Sequence, residues 1–246
     1  MDIGPRPAGS ATSRRLAGAL RLELPGGRFE PVPGGLRNVV GVLPGPGPAI
    51  VVGAHYDTEV EPPGFVGAND GAAGTAAVVE LSRALRGELT EGHREVRFLL
   101  FDGEEEAAGC RPEAFGTDPR CGLRGSREYA RRHAGEVGEM IVLDYIANKG
   151  LRVPREANSD PGLWAELRAA AERAGALEVF PDAEQPPVLD DHVPFLQREV
   201  PAIDVIDFSY PYRDTLEDTP DKLSAPSLDQ VGETVTELIV ALASRR

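Results

Sequence analysis

Three short clusters of potential metal ligands stand between residues 52 and 105. They read His55-Tyr56-Asp57, Asn69-Asp70-Gly71 and Asp102-Gly103-Glu104-Glu105. Each cluster follows a short apolar run or a glycine-rich turn, so each is expected where a strand ends. One imidazole and several carboxylates gathered at strand ends can hold a divalent zinc ion and activate water. The spacing therefore indicates a metal-dependent hydrolytic site.

Within these clusters the residue order suggests separate roles. Glu104 and Glu105 are adjacent and point in different directions, so one can bind metal while the other stays free. A free carboxylate beside metal-activated water can take its proton. Asp70 precedes Gly71 at the start of a predicted helix and has two interpretations, a metal ligand or a simple N-cap. The flanking clusters favour the ligand.

The elements that must position these residues alternate along the chain. Apolar patterns predict strands at 38–42, 49–54, 96–101, 140–146 and 201–208 and helices at 11–24, 71–85, 126–133, 161–174, 191–198 and 224–243. Alternation implies a largely parallel sheet covered on both faces. We therefore predict one α/β domain over 1–246, a three-layer α/β/α sandwich with a largely parallel, mixed central sheet. Ligands bind such sheets at the carboxyl ends of strands.

Composition limits the partners. The chain has 246 residues, of which 41% are hydrophobic, and 26 basic residues against 40 acidic ones give a net charge of −14. Without a basic footprint, neither nucleic acid nor an anionic membrane is expected as a partner. No apolar run approaches the ~20 residues that span a bilayer. The sequence as written begins without a signal pattern, which predicts a cytoplasmic protein, or a secreted or periplasmic one if the true start lies upstream.

The two cysteines, Cys110 and Cys121, fall in a predicted insertion at 106–124. They could form a local disulfide, worth about 3 kcal/mol for a loop of this size. In a reducing cytoplasm they would remain thiols. Their spacing matches no zinc-knuckle pattern. Free thiols and a disulfide both stay open from the sequence.

Several motifs, in order, resemble the M28 family of zinc-dependent peptidases, and most closely the branch that contains glutaminyl cyclases. The motifs are Gly4-Pro5-Arg6-Pro7-Ala8-Gly9-Ser10, Gly53-Ala54-His55-Tyr56-Asp57-Thr58, Phe65-Val66-Gly67-Ala68-Asn69-Asp70, Phe101-Asp102-Gly103-Glu104-Glu105, Leu123-Arg124-Gly125-Ser126-Arg127, Leu143-Asp144, Asp190-Asp191-His192-Val193-Pro194-Phe195 and Glu217-Asp218-Thr219-Pro220-Asp221. No single motif is decisive, but their shared order makes a chance resemblance very improbable. The resemblance implies a zinc-exopeptidase-like fold over nearly the whole chain.

The resemblance also implies a role for each matching residue. The implied metal ligands are His55 and Asp144 for one zinc, Asp70 as the bridging or sole-zinc carboxylate, and Glu105 for a second zinc. Glu104 resembles the general base, and Asp57 the carboxylate that orients His55. Asp190 resembles a carboxylate near the base in the cyclase branch. An oriented imidazole is a better ligand, so the role of Asp57 is chemically reasonable.

One position departs from the family pattern. Asp214 stands where the family has its last metal-binding histidine, and Arg213 stands where the cyclases have a tryptophan. Three meanings are open. In the first, Asp214 is an oxygen ligand that favours Mn²⁺ or another hard ion over Zn²⁺ at a second position, with Asp70 and Glu105. Alternatively one zinc works alone through His55, Asp70 and Asp144, or the site has lost catalysis.

Three functions follow. The first is an M28-type hydrolase, an aminopeptidase that acts on a peptide or small amide with metal-activated water and Glu104 as base. The second is a glutaminyl-peptide cyclotransferase with one zinc, although the two tryptophans of a cyclase pocket are missing here. The third is a binding protein on the same fold. His192 is a structural histidine or a substrate contact, and Tyr210 and Arg213 are candidate pocket residues. The sequence predicts no oligomeric state.

Overall fold

The computed structural model describes residues 4–245, and its centre is a six-stranded mixed sheet. The strands are β1 (Arg28–Val32), β2 (Leu36–Leu43), β3 (Ala49–His55), β4 (Val96–Phe101), β5 (Val137–Asp144), β6 (Arg155–Glu156), β7 (Glu184–Gln185) and β8 (Ala202–Ile206). The large sheet has the order β1-β2-β4-β3-β5-β8. Its four strands β4, β3, β5 and β8 are parallel, whereas β1 and β2 add an antiparallel edge. β6 and β7 form a separate small sheet.

Helices cover both faces of this sheet. They are α1 (Ala11–Glu23), α2 (Gly74–Glu88), α3 (Arg124–His133), α4 (Pro161–Arg173), α5 (Val193–Leu196) and α6 (Ala225–Ala243). One apolar cluster joins α1, α2, α4 and α6 to one face, and a second joins α3 and α5 to the other. β3 is buried along its whole length, as a central parallel strand must be. The prediction of a three-layer α/β/α sandwich is confirmed.

The boundaries differ from the sequence prediction at informative places. β1 was not predicted, because its residues are mostly exposed and it contains Pro31, which suits only a sheet edge. The predicted strand at 140–146 ends two residues early, at Asp144. Tyr145 then has φ +45, a left-handed conformation that a strand cannot contain. The predicted helix at 191–198 is a single turn.

The insertion at 106–124 carries a disulfide between Cys110 and Cys121, whose Cα atoms are 5.6 Å apart. Of the two alternatives left open by the sequence, the structure has the bond. Disulfides persist chiefly in oxidising environments. Within residues 4–245, every helix is too short or too polar to span a membrane.

Candidate metal centre

The candidate ligands meet at one edge of the sheet because three parallel neighbours end there. His55 is the last residue of β3, and Asp144 is the last residue of β5. Glu104 and Glu105 follow the end of β4 by three and four residues. Since β4, β3 and β5 are adjacent and parallel, their carboxyl ends bring these side chains together. Asp70 enters from the turn that precedes α2.

A compact group forms around the His55 imidazole. Nε2 of His55 lies 3.0 Å from Oδ1 of Asp70 and 3.5 Å from Oδ1 of Asp144. On the other side of the ring, Nδ1 lies 3.8 Å from Oδ1 of Asp57. All four residues are buried. The imidazole is therefore flanked by two potential co-ligands on one nitrogen and by a candidate orienting carboxylate on the other.

Gly71 lets the backbone approach this imidazole. Its φ is +75, and a Cβ at this position would lie 2.8 Å from Cε1 of His55 and 3.0 Å from the carbonyl oxygen of Asp57. Any larger residue would push the ring away from Asp70. Thr75, one turn further on, donates its hydroxyl to the carbonyl of His55 at 2.8 Å. The local sequence after Asp70 is thus shaped around the histidine.

The turn that carries Asp70 is held from both sides. Asp218 accepts the backbone N–H groups of Asn69 at 2.9 Å and of Asp70 at 3.0 Å. The buried Arg6 guanidinium donates to the carbonyls of Val66, Gly67 and Asp70. α2 begins at Gly74, so that its N-cap position is Ala73 rather than Asp70, and no side chain caps it. The N-cap interpretation of Asp70 is therefore wrong, and its carboxylate faces His55.

Glu104 and Glu105 share the space beside the same imidazole. One donor atom from each lies within 4.8 Å of a His55 nitrogen and of the other. The backbone N–H of Glu104 donates to Oδ1 of Asp57 at 3.3 Å, which fixes the loop. Glu105 is buried, whereas Glu104 keeps partial access to solvent. The two glutamates thus differ in exposure, as expected for one ligand and one free base.

Burial and like charge shift the acidity of these groups. Burial raises the pKa of Glu104 well above its usual value, with Asp190 and Asp191 adding to the effect. Burial likewise raises the pKa of Asp144 to about 7. Although burial lowers the pKa of His55, its contacts with Asp144, Asp57 and Asp70 raise it well above normal. Without a cation, the cluster therefore holds protons that a metal would displace.

Two observations suit a divalent cation. Oε1 of Glu105, a candidate ligand, is buried without a hydrogen-bond partner among the described residues. Buried carboxylate oxygens are normally paired or bound to metal. The donors of His55, Asp70 and Asp144 also lie within 4.8 Å of one another. One imidazole with two carboxylates fits zinc, so these residues fit the ion that the sequence predicts.

Asp214 stands slightly apart from these ligands. Among the described residues it belongs to no group of three donor atoms within 4.8 Å. Its Oδ1 instead accepts from the hydroxyl of Tyr145 at 3.1 Å, and the same hydroxyl lies 2.7 Å from Oδ2 of Asp70. Arg213 turns outward and stacks on Phe208, with its guanidinium carbon 3.9 Å from the ring centre. A direct set of Asp70, Glu105 and Asp214 is not assembled.

Two further predicted residues, Asp190 and His192, belong to a separate buried group. His192 is fully buried, with Nε2 3.1 Å from Oε2 of Glu156 and Nδ1 3.7 Å from Oδ2 of Asp204. Asp190 lies with His192 and Asp204 in a second group of potential donors. We call Glu156, Asp190, His192 and Asp204 the inner acidic cluster. Full burial of His192 agrees with the structural interpretation rather than with a substrate contact.

Tyr210 has a supporting contact rather than a pocket position. It is buried, and its hydroxyl donates at 2.8 Å to Asp218, the residue that holds the Asp70 turn. Sequence reasoning missed Tyr145 and Glu59. Burial, with the charges of Asp214 and Asp70, raises the pKa of Glu59 to about 8. The signal for Tyr145 was its place directly after Asp144, where a hydroxyl at a strand end can reach neighbouring carboxylates.

Known proteins with similar sequence or structure include glutaminyl cyclases and aminopeptidases. The chain is 25% identical over 231 residues to a glutaminyl-peptide cyclotransferase of Gloydius blomhoffii, covering 78% of this chain and 61% of that protein. It is 26% identical over 198 residues to the aminopeptidase YwaD of Bacillus subtilis, covering 77% of this chain and 40% of that enzyme. The chain thus spans about three fifths or less of these relatives.

Among solved structures, an Acidobacteriales bacterium glutaminyl cyclase superposes with a TM-score of 0.84 at 29% identity, covering 100% of this chain and 91% of that one. The family model for peptidase family M28 matches residues 38–239, which include every candidate ligand. The order of motifs in the sequence had indicated the same family. Because the match extends over most of the fold and the site, the chain belongs to peptidase family M28, in the branch that resembles glutaminyl cyclases.

Proposed function

We propose that this protein is a metal-dependent hydrolase that acts as an aminopeptidase on a peptide or small amide. The observation that carries the proposal is the position of Glu104. It is a partly exposed carboxylate beside a buried set of His55, Asp70 and Asp144 donors. Activation of water requires at least a base with access to solvent that lies next to residues able to bind a metal.

Each residue of the centre has a part in this chemistry. His55, Asp70 and Asp144 would hold zinc, and Glu105 would contribute to a second ion. When bound, the cation supplies Lewis acidity, which polarises a carbonyl and makes water more acidic. Asp57 would orient the His55 ring, and Glu104, beside the ligands, would accept a proton and return it. Glu104 would then deliver that proton to the leaving amine.

The charge of the rim favours hydrolysis over cyclisation. Glu59, Asp70 and Asp214 form a carboxylate border, in which burial and the charges of Asp214 and Asp70 raise the pKa of Glu59, and burial and the charge of Asp70 raise the pKa of Asp214. Such a border attracts and stabilises the protonated α-amine of a substrate. An aminopeptidase can bind that ammonium group, whereas a cyclase must use the neutral amine as its nucleophile. The border therefore supports a peptide whose free amino terminus sits against these carboxylates.

Cyclisation of amino-terminal glutamine is the second candidate, because sequence relatives and solved structures named as glutaminyl cyclases are similar to this chain. Against it, Arg213 occupies the expected tryptophan position and stacks outward on Phe208. The only tryptophan, Trp164, is buried in α4 against Phe180. A cyclase-type aromatic pocket would need other residues.

One experiment separates the two reactions. The protein, loaded with Zn²⁺ or Mn²⁺, is incubated with two peptides that differ only in an amino-terminal Leu or Gln. Mass spectrometry distinguishes release of the first residue from loss of ammonia without shortening. We expect shortening of the Leu peptide. Ammonia loss from the Gln peptide alone would establish the cyclase, and inactivity on both peptides with metal bound would indicate a binding protein.

The disulfide bears on where this activity takes place. A bond between Cys110 and Cys121 would be reduced in an ordinary cytoplasm. We propose that the protein works in an oxidising compartment, contrary to the cytoplasmic prediction from the written sequence. Thiol labelling of the protein in its native host, before lysis, tests this. Two reactive thiols would restore the cytoplasmic assignment.

A further inference from the structure

Tyr145 contacts more of the candidate ligands than any residue that the sequence analysis singled out as supporting them. Its hydroxyl lies 2.7 Å from Oδ2 of Asp70 and 3.1 Å from Oδ1 of Asp214. Its backbone N–H donates at 2.9 Å to Oδ1 of Asp144. One residue thus touches three carboxylates that were predicted to bind metal. Neither the family resemblance nor the relatives' names assign it a role.

The backbone of Tyr145 is shaped for this contact. Its φ is +45, a left-handed value that is uncommon for a bulky residue. Asp214, its partner on the other side, also has a positive φ of +58. Such conformations persist only where the surroundings enforce them. Here the surroundings are the rings of Tyr210 and Phe208, whose centres lie 5.8 and 6.5 Å from that of Tyr145.

The Tyr145 hydroxyl lies between two carboxylates of like charge. Asp70 and Asp214 both direct an oxygen at one phenol, which has a single proton to donate. Oδ1 of Asp70 is already engaged by His55 at 3.0 Å, so the phenol restrains the other oxygen of the same carboxylate. Both oxygens of Asp70 are therefore held in fixed directions. A ligand held in this way is pre-positioned for a cation.

We propose that Tyr145 is a positioning residue of the metal centre, whose hydroxyl links Asp70 to Asp214 and fixes the carboxylate that Asp70 offers to a divalent ion. Asp214 then acts on the centre through Tyr145 rather than as a direct ligand. This inference rests on the proposed function, since it assumes a metal at His55, Asp70 and Asp144. It also accounts for a centre that lacks the family's last histidine ligand.

The test is the zinc affinity of Tyr145→Phe, measured by competition with a chromophoric chelator. Loss of a residue that orients a ligand typically weakens metal binding by about 10- to 100-fold. The matched control is Tyr212→Phe, which removes a hydroxyl from a neighbouring, partly exposed ring that packs on the same small cluster. We expect Tyr212→Phe to bind zinc like the parent protein. Circular dichroism of both metal-free variants verifies that they fold.

A spectroscopic measurement keeps the test valid if Tyr145→Phe fails to fold. The chain has 5 tyrosines, and zinc binding should perturb the ultraviolet absorption of Tyr145 through Asp70. We expect a tyrosine difference spectrum in the parent protein that persists in Tyr212→Phe. A merely structural tyrosine would give no such signal.

Three results would overturn the proposal. These are zinc binding by Tyr145→Phe within about twofold of the parent, equal losses in both variants, or zinc binding by the parent without a tyrosine signal. Failure of the parent protein itself to bind any divalent ion is a different outcome. It would remove the proposed function, and the role of Tyr145 with it.

Discussion

Two buried regions of this protein contain the same kinds of donor but differ in what surrounds them. The metal centre and the inner acidic cluster each combine one histidine with carboxylates whose donor atoms lie within 4.8 Å. In the inner cluster, Glu156 already accepts the backbone N–H groups of Asn158, Ser159 and Val188. In the centre, by contrast, Glu104 keeps partial access to solvent.

Because the two regions share donor types but differ in their surroundings, donor identity alone does not define a metal site. Side chains of His192, Glu156 and Asp204 are fully buried, so an ion would have to cross packed protein to reach them. We therefore interpret the inner acidic cluster as a buried structural network rather than as a metal site. Unpartnered donor atoms occur in both regions, so the contrast rests on burial: the centre includes Glu104, a potential base that is partly exposed. The following four measurements test it.

The largest effect is expected for Glu104→Gln. Loss of a general base lowers kcat by about 10²–10⁴-fold, while the metal ligands are untouched. Steady-state kinetics and metal analysis of the same preparation measure both quantities. Glu106→Gln, two residues away in the same loop, is the matched control and should retain activity. Turnover that survives in Glu104→Gln would mean that the base lies elsewhere, whatever its metal content.

Replacing the two buried histidines should affect different properties, zinc binding for His55 and stability for His192. His55→Ala should abolish zinc binding. His192→Ala should keep it but lower the free energy of unfolding by about 3–5 kcal/mol, because Glu156 and Asp204 lose their buried partner. Chemical denaturation and metal titration measure the two effects. His133→Ala, which breaks a partly exposed contact with Glu30, should cost at most about 1 kcal/mol. Loss of zinc in His192→Ala would erase the contrast.

The contribution of the inner acidic cluster to stability should depend on pH. Burial, with the charge of Asp190, raises the pKa of Asp204 well above its usual value. The folded state then binds this proton more tightly, so its contribution to stability is complete below about pH 4 and is lost as pH rises towards the folded pKa. Asp204→Asn cannot titrate. Its stability relative to the parent should rise by up to about 1.4 kcal/mol per pH unit over that window.

This signature is checked by urea denaturation of both proteins at several pH values. Asp182→Asn serves as a control, because that carboxylate is 93% exposed and lies outside the cluster. A constant difference between Asp204→Asn and the parent across the window would contradict a buried, proton-binding Asp204.

The smallest effect is expected at the departure from the family pattern. Asp214→His would offer a nitrogen ligand that zinc prefers, and we expect zinc to bind about tenfold more tightly and Mn²⁺ to gain little. Competition titrations with both ions measure the change. Glu217→His, on the exposed side of the same loop, is the control. Weaker zinc binding in Asp214→His would show that the aspartate itself is the better partner for this centre.

Much of the fold was accessible from the sequence because its signals are local. β4 was predicted with its observed limits, and the helices at 11–24, 161–174 and 224–243 agree with α1, α4 and α6 to within one residue at each end. Apolar runs and Ser10, Asp160 and Ser224 as caps mark these elements directly. The site residues could be assembled because parallel strands present their carboxyl ends together.

What escaped prediction depends on contacts distant in sequence or on backbone conformation. Tyr145 was placed inside a strand, and only its positive φ turns the phenol towards Asp70, 75 positions earlier. The place of Asp214 relative to the ligands depends on that same phenol. His192 could not be assigned because Glu156 and Asp204, its partners, show no shared pattern in the sequence. Single-residue conformations of this kind leave no periodic signal.

Arg6 gives the beginning of the described chain an unexpected importance. Its guanidinium reaches from the segment before α1 to the carbonyls of Tyr56 and Val66, and from there to the Asp70 turn. Cleavage just after this arginine would leave the sheet and its helices intact but would remove the donor groups that hold the Asp70 turn. A protease acting on this segment would therefore loosen the candidate metal centre irreversibly without cutting any element that carries a ligand.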